Sequence, residues 1–174
     1  NQLAVSEPLD EVGGIFNAFT SEEYTGFWAK VDAKHTELAL DVISDIYLNP
    51  KLDEKELEKE KGVVIEEMNM YYDQPSSYVQ NLWDKLLYGD QPQGWGIIGT
   101  KESVLSVERK QLENYIKSQY TAKNTVVCIA GNFSKNLKIE KYFGNIGINN
   151  SYEKLKTKEK QEKPDCILQE RKTA

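Results

Sequence analysis

The chain has 174 residues, 39% hydrophobic and 29% charged, with a formal net charge of −6 and a pI near 5.0. That size fits one globular domain or a piece of a larger one, and the acidic balance argues against a nucleic-acid groove. The longest unbroken apolar run, Val126–Ala130, is far shorter than the roughly 20 residues of a membrane-spanning helix.

The first segment, GGIFNAFTSEEYTGFWAKVD, reads as a β-hairpin, with alternating β-prone residues on either side of the polar turn Ser21-Glu22-Glu23. Asp32 is a predicted N-cap for a helix carrying Leu38, Val42 and Ile46 at helical spacing, widened by Leu40, Ile43 and Tyr47 and stopped by Asn49-Pro50. A second helix is expected from about Asp53 to Tyr72, with Leu57, Val64, Met68 and Tyr71 on one stripe. Pro75 opens a third, in which Tyr78, Leu82, Leu86 and Leu87 make the buried side. A long Gly-rich loop, GDQPQGWGIIGTKES, leads to the helical pattern SVERKQLENYIKSQY. NTVVCIAGNF then reads as a buried strand ended by Gly131-Asn132, and KNLKIEKYFGNI as a short helix with Leu137, Ile139 and Phe143 inside. After Gly147 the lysine-rich NNSYEKLKTKEKQEK has almost nothing to bury and reads as a solvated linker, followed by the strand-like PDCILQER. The expectation is an α+β fold, an antiparallel sheet with helices packed on one face. A main domain spans residues 1–147, a linker 148–163, and a following strand region 164–174. Asn1 opens on no signal-peptide pattern and ILQERKTA stops within a strand-like segment, so both ends read as cut. Cys128 and Cys166, in apolar stretches, read as small buried residues of the cytoplasm or another reducing compartment, with one disulfide left open.

Several candidate motifs fall to plainer readings. GWGIIG, residues 94–99, has the letters G-x-G-x-x-G, but a dinucleotide site needs a strand before it and a helix opening on it. His35, the single histidine, cannot complete a catalytic zinc site, which takes three protein ligands. The sequons at Asn132 and Asn149 carry little without a secretion signal. Glu60 and Glu67 are more telling. They stand seven residues apart, two helical turns, and leave the same side of the second helix. In a Glu/Lys-rich helix, paired surface carboxylates are the ordinary reading. Yet Glu66-Glu67 interrupts Val63, Val64, Ile65 and Met68, so one of the two should lie near the edge of the buried stripe, where an unpaired carboxylate is costly.

Five segments together resemble the pitrilysin/insulinase/mitochondrial processing peptidase family of zinc metallopeptidases, the inverzincins, whose first motif is H-x-x-E-H. They are EVGGIFNAFTSEEYTGFWAKV, ALDVISDIYLNP, ELEKEKGVVIEEM, YGDQPQGWGIIGTKESV and YTAKNTVVCIAGNF, in the family's order and spacing. The resemblance implies a metallopeptidase-like domain of the mitochondrial processing peptidase type, truncated at both ends. It implies that Glu67 is a zinc ligand and that Glu60 supports a ligating histidine. It further implies that FNAFT is the edge strand that takes the substrate peptide, through Asn17, Ala18, Phe19 and Thr20. Read without the family, FNAFT is half a hairpin. The H-x-x-E-H motif, with two zinc ligands and the general base, is absent from the chain and would end just before Asn1.

The expected function is therefore that of a fragment of a zinc-dependent metalloendopeptidase that hydrolyses peptides or unfolded polypeptides, inactive alone and not expected to retain zinc. The alternative is a non-catalytic family member acting as a structural or peptide-binding subunit. Expected partners are a peptide substrate and the rest of the parent chain or a homologous subunit, with no nucleic acid and no membrane.

Overall fold

The computed structural model describes residues 7–148, 155–159, 161 and 163–170. A helical turn at residues 7–10 leads into strand β1 (Ile15–Thr20), which pairs antiparallel with β2 (Thr25–Lys30) in the register Ile15↔Lys30 to Thr20↔Thr25. The hairpin is closed by the Ser21 N–H donating to the Tyr24 carbonyl. The helices, numbered from the first after the hairpin, are α1 (Thr36–Leu48), α2 (Glu54–Asp73), α3 (Pro75–Tyr88), α4 (Lys101–Ser106), α5 (Arg109–Gln119) and α6 (Glu140–Phe143). This is the α+β architecture expected.

The helix boundaries follow their local chemistry. Asp32 caps a 3₁₀ turn at Ala33–His35, accepting from the Lys34 N–H, and the turn runs directly into α1. Asp53 caps α2 by accepting from the N–H groups of Lys55 and Glu56. Gln74-Pro75 separates α2 from α3, with proline at the first turn where its missing N–H costs nothing. Gly89, at φ 64°, ends α3.

The chain forms two compact units: residues 1–52 with 109–152, and residues 53–108 with 153–174. In the first, α1 packs against β2 and α6 against α1. Tyr47 of α1 is the hub, its ring meeting Phe27, Tyr120 and Phe143 at centroid distances of 6.0, 4.7 and 6.5 Å. Leu9, Leu40 and Tyr142 are buried there, as is Ser44 one turn along α1 from Leu40. In the second, α2 packs against both α3 and α4, with Met68 and Lys61 buried. Gln91 grips Lys158 by both its amide groups, accepting from the Lys158 N–H at 2.8 Å and donating to its carbonyl at 3.0 Å.

Several expectations change. Thr125–Ala130 and residues 164–170 run without ladder partners among the described residues, so neither is a strand of a sheet. For the same reason Cys128 and Cys166, expected buried, are exposed, and both are free thiols. The pattern expected to form one helix from Ser106 starts instead at Arg109. A separate helix, α4, precedes it, set by a capping box between Thr100 and Ser103 inside the expected loop. The short helix near the end shrinks to Glu140–Phe143, with Leu137, Ile139 and Phe143 half-buried and Tyr142 buried. On α2, Tyr71 is exposed rather than part of the buried stripe. Half of the linker expected over 148–163, the sequon at Asn149 and the final RKTA lie outside the described residues. Among the described residues no helix is long and apolar enough to cross a membrane.

Candidate functional site

The first half of α2 is an ordinary charged helix. Lys59 pairs with Glu56 at 2.7 Å, and this bond holds the Lys59 ammonium above its ordinary pKa. Lys61 pairs with Glu58 at 2.7 Å and also donates to the Leu105 carbonyl at 3.2 Å, tying α2 to the end of α4. Lys61 is 8% exposed, unusual for an ammonium, and it went unnoticed in the sequence. The signal was present: Leu57, Lys61, Val64 and Met68 follow one i, i+4, i+7, i+11 stripe, and the lysine occupies a core position in it.

Beyond Lys61 the helix carries no cation. Glu60 and Glu67 are exposed, and among the described residues neither has an ion-pair or side-chain hydrogen-bond partner. Glu66 is exposed as well, so neither member of the Glu66-Glu67 pair is drawn into the buried stripe. Seven residues place Glu60 and Glu67 about 10.5 Å apart along the axis and about 20° apart around it. The helix-surface neighbours of Glu67, three and four residues away, are Val63, Val64, Met70 and Tyr71. Of these Val63 is 58% and Met70 68% exposed. A solvated helix face would surround such a carboxylate with lysines and glutamines. Here three of the four neighbours, Val63, Met70 and Tyr71, carry no charge and are exposed, and the fourth, Val64, is half-buried.

The donor chemistry fits one part of a zinc site. A carboxylate is a normal zinc ligand, and Glu67 is free to turn toward one. Among the described residues no three His, Cys, Asp or Glu side chains cluster to complete a set, and His35, the only histidine, lies in the other unit.

The predicted substrate residues belong to that other unit. Phe19 lies over Gly26, where an added Cβ would stand 2.5 Å from the ring, and meets Tyr24 edge-on at 5.7 Å. The glycine is there because the ring needs its space. Asn17 turns its carboxamide oxygen back onto the Ala18 N–H at 2.8 Å. The edge of β1 away from β2 has no strand beside it among the described residues. Asn17–Thr20 and the two glutamates thus fall in separate units.

The hairpin-and-helix unit and the helix that presents Glu60 and Glu67 are both parts of an α+β fold, and comparison with known proteins gives its family. Residues 1–101 match the family model for insulinase (peptidase family M16), and residues 106–173 that for the peptidase M16 inactive domain. The chain is 42% identical over 142 residues to the uncharacterized zinc protease YmxG of Bacillus subtilis, covering 80% of this chain and 35% of that protein. It is 36% identical over 128 residues to a probable mitochondrial-processing peptidase subunit beta of Arabidopsis thaliana, covering 74% of this chain and 24% of that one. Among solved structures, a protease from Helicobacter pylori superposes with a TM-score of 0.78 at 20% identity, over 90% of this chain and 38% of that one. Pitrilysin does so at 0.72 and 21% identity, over 90% of this chain and 17% of that one. The chain belongs to the insulinase family of peptidases, M16. It spans about a third or less of the length of these curated relatives.

Proposed function

We propose that the parent of this chain is a zinc-dependent endopeptidase that cleaves peptides or unfolded polypeptides, with Glu67 as a metal ligand and Glu60 as the carboxylate that steadies a neighbouring ligand. The observation that carries this reading is the unpaired Glu67 carboxylate with exposed Val63, Met70 and Tyr71 beside it on the helix. Such a face is stable once another element covers it, and a carboxylate so covered needs a cation. The relatives named as zinc proteases supply the metal's identity. When bound, zinc supplies a Lewis acid for the scissile carbonyl and its attacking water. Glu67 contributes negative charge and one fixed oxygen donor from a rigid helix. In this reading Glu60, one heptad earlier, accepts a hydrogen bond from a ligating imidazole of the parent and sets its orientation.

The free edge of β1 is the proposed peptide seat. In an antiparallel strand alternate residues turn their main-chain groups to opposite edges. With the Ala18 N–H taken up by the Asn17 carboxamide, Ala18 is the natural outward-facing residue, and a docking peptide displaces that side chain to reach it. Asn17 and Phe19 then flank the peptide through their side chains, and Thr20 closes the seat at the turn. Recognition through main chain makes sequence preference loose. The remainder of the parent chain, or a homologous subunit, supplies the other ligands and the second wall of the cleft.

The test uses the full-length parent. Purified wild type is expected to carry one zinc per chain and to cleave an unfolded polypeptide. Glu67→Gln is expected to lose zinc, and Glu60→Gln to bind it about 10–100-fold more weakly. The 174-residue chain is expected to hold no stoichiometric zinc. Zinc retained at full occupancy in Glu67→Gln would overturn the assignment. A full-length protein without zinc that binds but does not cut peptides would establish the peptide-binding subunit instead.

A further inference from the structure

Lys61 is the one charged member of the stripe Leu57, Lys61, Val64 and Met68, and it is almost fully buried. A methionine would fill the same space without burying an ammonium, and exchanging a buried charge for apolar packing is often neutral or stabilising. What the ammonium adds is direction. Among the described residues, its bond to the Leu105 carbonyl is the one side-chain hydrogen bond that leaves α2 for another element. The Lys59–Glu56 and Lys61–Glu58 pairs both stay within the helix. Leu105 lies in the last turn of α4, where carbonyls run out of helical partners and the negative end of the helix favours a cation. The Thr100–Ser103 capping box fixes the opposite end of α4, so the acceptor is itself held in place.

Apolar side chains on a stripe let a helix turn through small angles, whereas a single buried polar residue sets register. Glu60 and Glu67 stand about 100° and about 120° around the axis from Lys61, both to the same side. Side-chain tips lie about 5–6 Å from a helix axis, so a turn of about 10° carries them about 1 Å. A metal or binding constellation has to be held within about 0.5 Å. The bond to Leu105 therefore acts on the scale that a ligand set requires. Glu60, next to Lys61 in the chain, depends on it more. Glu67 lies toward the end of α2 that α3 also holds, where Met68 is buried and the Tyr72 ring meets Tyr78 at 5.2 Å.

We infer that Lys61 is a positioning residue: its bond to the Leu105 carbonyl fixes the rotation of α2, and through it the aim of Glu60 at the ligand it steadies. The inference rests on the metal reading of Glu60 and Glu67 given above. Lys61 itself touches neither metal nor substrate in this scheme.

Zinc affinity of the full-length parent, read by competition with a chromogenic chelator, tests it. Lys61→Met keeps the stem and loses the head. It is expected to weaken zinc about tenfold in the wild-type background, at the low end of the loss that follows from disturbing a supporting carboxylate. In a Glu60→Gln background the same change is expected to cost at most about threefold, because a misaimed support and a missing one fail alike. Leu57→Ala, on the same stripe, is expected to lower the melting temperature at least as far as Lys61→Met and to leave zinc affinity within about twofold, since it removes packing and no directional bond. Equal losses from Lys61→Met in both backgrounds would overturn the inference, as would unchanged affinity in Lys61→Met. A loss of affinity in Leu57→Ala matching that in Lys61→Met would overturn it too, by making zinc follow stability alone. Full zinc affinity in both Glu60→Gln and Glu67→Gln is the separate result that would strike the metal reading, and this inference with it.

Discussion

Replacing Lys61 separates what its stem and its charged head contribute to the carboxylate-bearing helix. Lys61→Ala removes three methylenes from a side chain that is almost fully buried, about 2.4 kcal/mol at about 0.8 kcal/mol each. The head makes two bonds. Its pair with Glu58 is worth about 0.5 kcal/mol, because the Glu58 side chain is 68% exposed and solvent screens it. The bond to the Leu105 carbonyl, at 3.2 Å, is charge-assisted and worth about 1.5 kcal/mol. Burying the ammonium costs part of this back, so the net contribution of the head is about 1 kcal/mol. Lys61→Met, which keeps the stem, is therefore expected to destabilise the unit by about 1 kcal/mol and Lys61→Ala by about 3 kcal/mol. Urea unfolding followed through the tryptophans Trp83 and Trp95 of that unit reads both values. Methionine equal to or better than lysine would refute the clamp between α2 and α4 and leave Lys61 a packing residue alone.

Three other changes follow from the geometry. Gly26→Ala forces the Phe19 ring off the hairpin and is expected to cost about 1–2 kcal/mol in thermal unfolding. Adding Phe19→Ala should recover most of it. Tyr47→Phe is expected to cost about 1 kcal/mol, since the Thr125 hydroxyl gives its hydrogen to the Thr121 carbonyl and so accepts from Tyr47 at 2.7 Å. Thr125→Val in the same background should then cost less than it does alone. The Tyr120 phenol is pushed above the ordinary tyrosine range, first by burial and then by the neighbouring Tyr115 and Tyr47. A group whose folded pKa is raised stabilises the fold fully below its unfolded pKa and loses that contribution as pH rises through the folded value. Stability should therefore fall above about pH 10, and Tyr120→Phe should flatten that loss in an alkaline melting series.

Much of the architecture was legible because it rests on short-range chemistry. Asp32, Asp53, Asn49-Pro50 and Gln74-Pro75 mark helix ends through bonds made within a few residues, and the hairpin turn at Ser21–Tyr24 follows from its polar residues. α4 escaped notice although its capping box is local, because it is one and a half turns of helix inside a glycine-rich stretch. The candidate site was legible in part. Spacing alone placed Glu60 and Glu67 on one face, and the family resemblance gave them roles. Periodicity could not reveal that Val63, Met70 and Tyr71 beside Glu67 stay uncovered or that Lys61 is buried, because both depend on what packs against α2.

The sequence by itself determined the order of elements, their caps and the facing of the two glutamates, since these arise from backbone geometry and neighbours within four residues. Only the tertiary structure decided which apolar stretches find partners. Val126–Ala130 has the composition of an interior strand, but pairing is a long-range event that needs a second strand with unmet main-chain groups beside it. Among the described residues that strand is not supplied, and the segment lies open along a groove that β2 and α1 line.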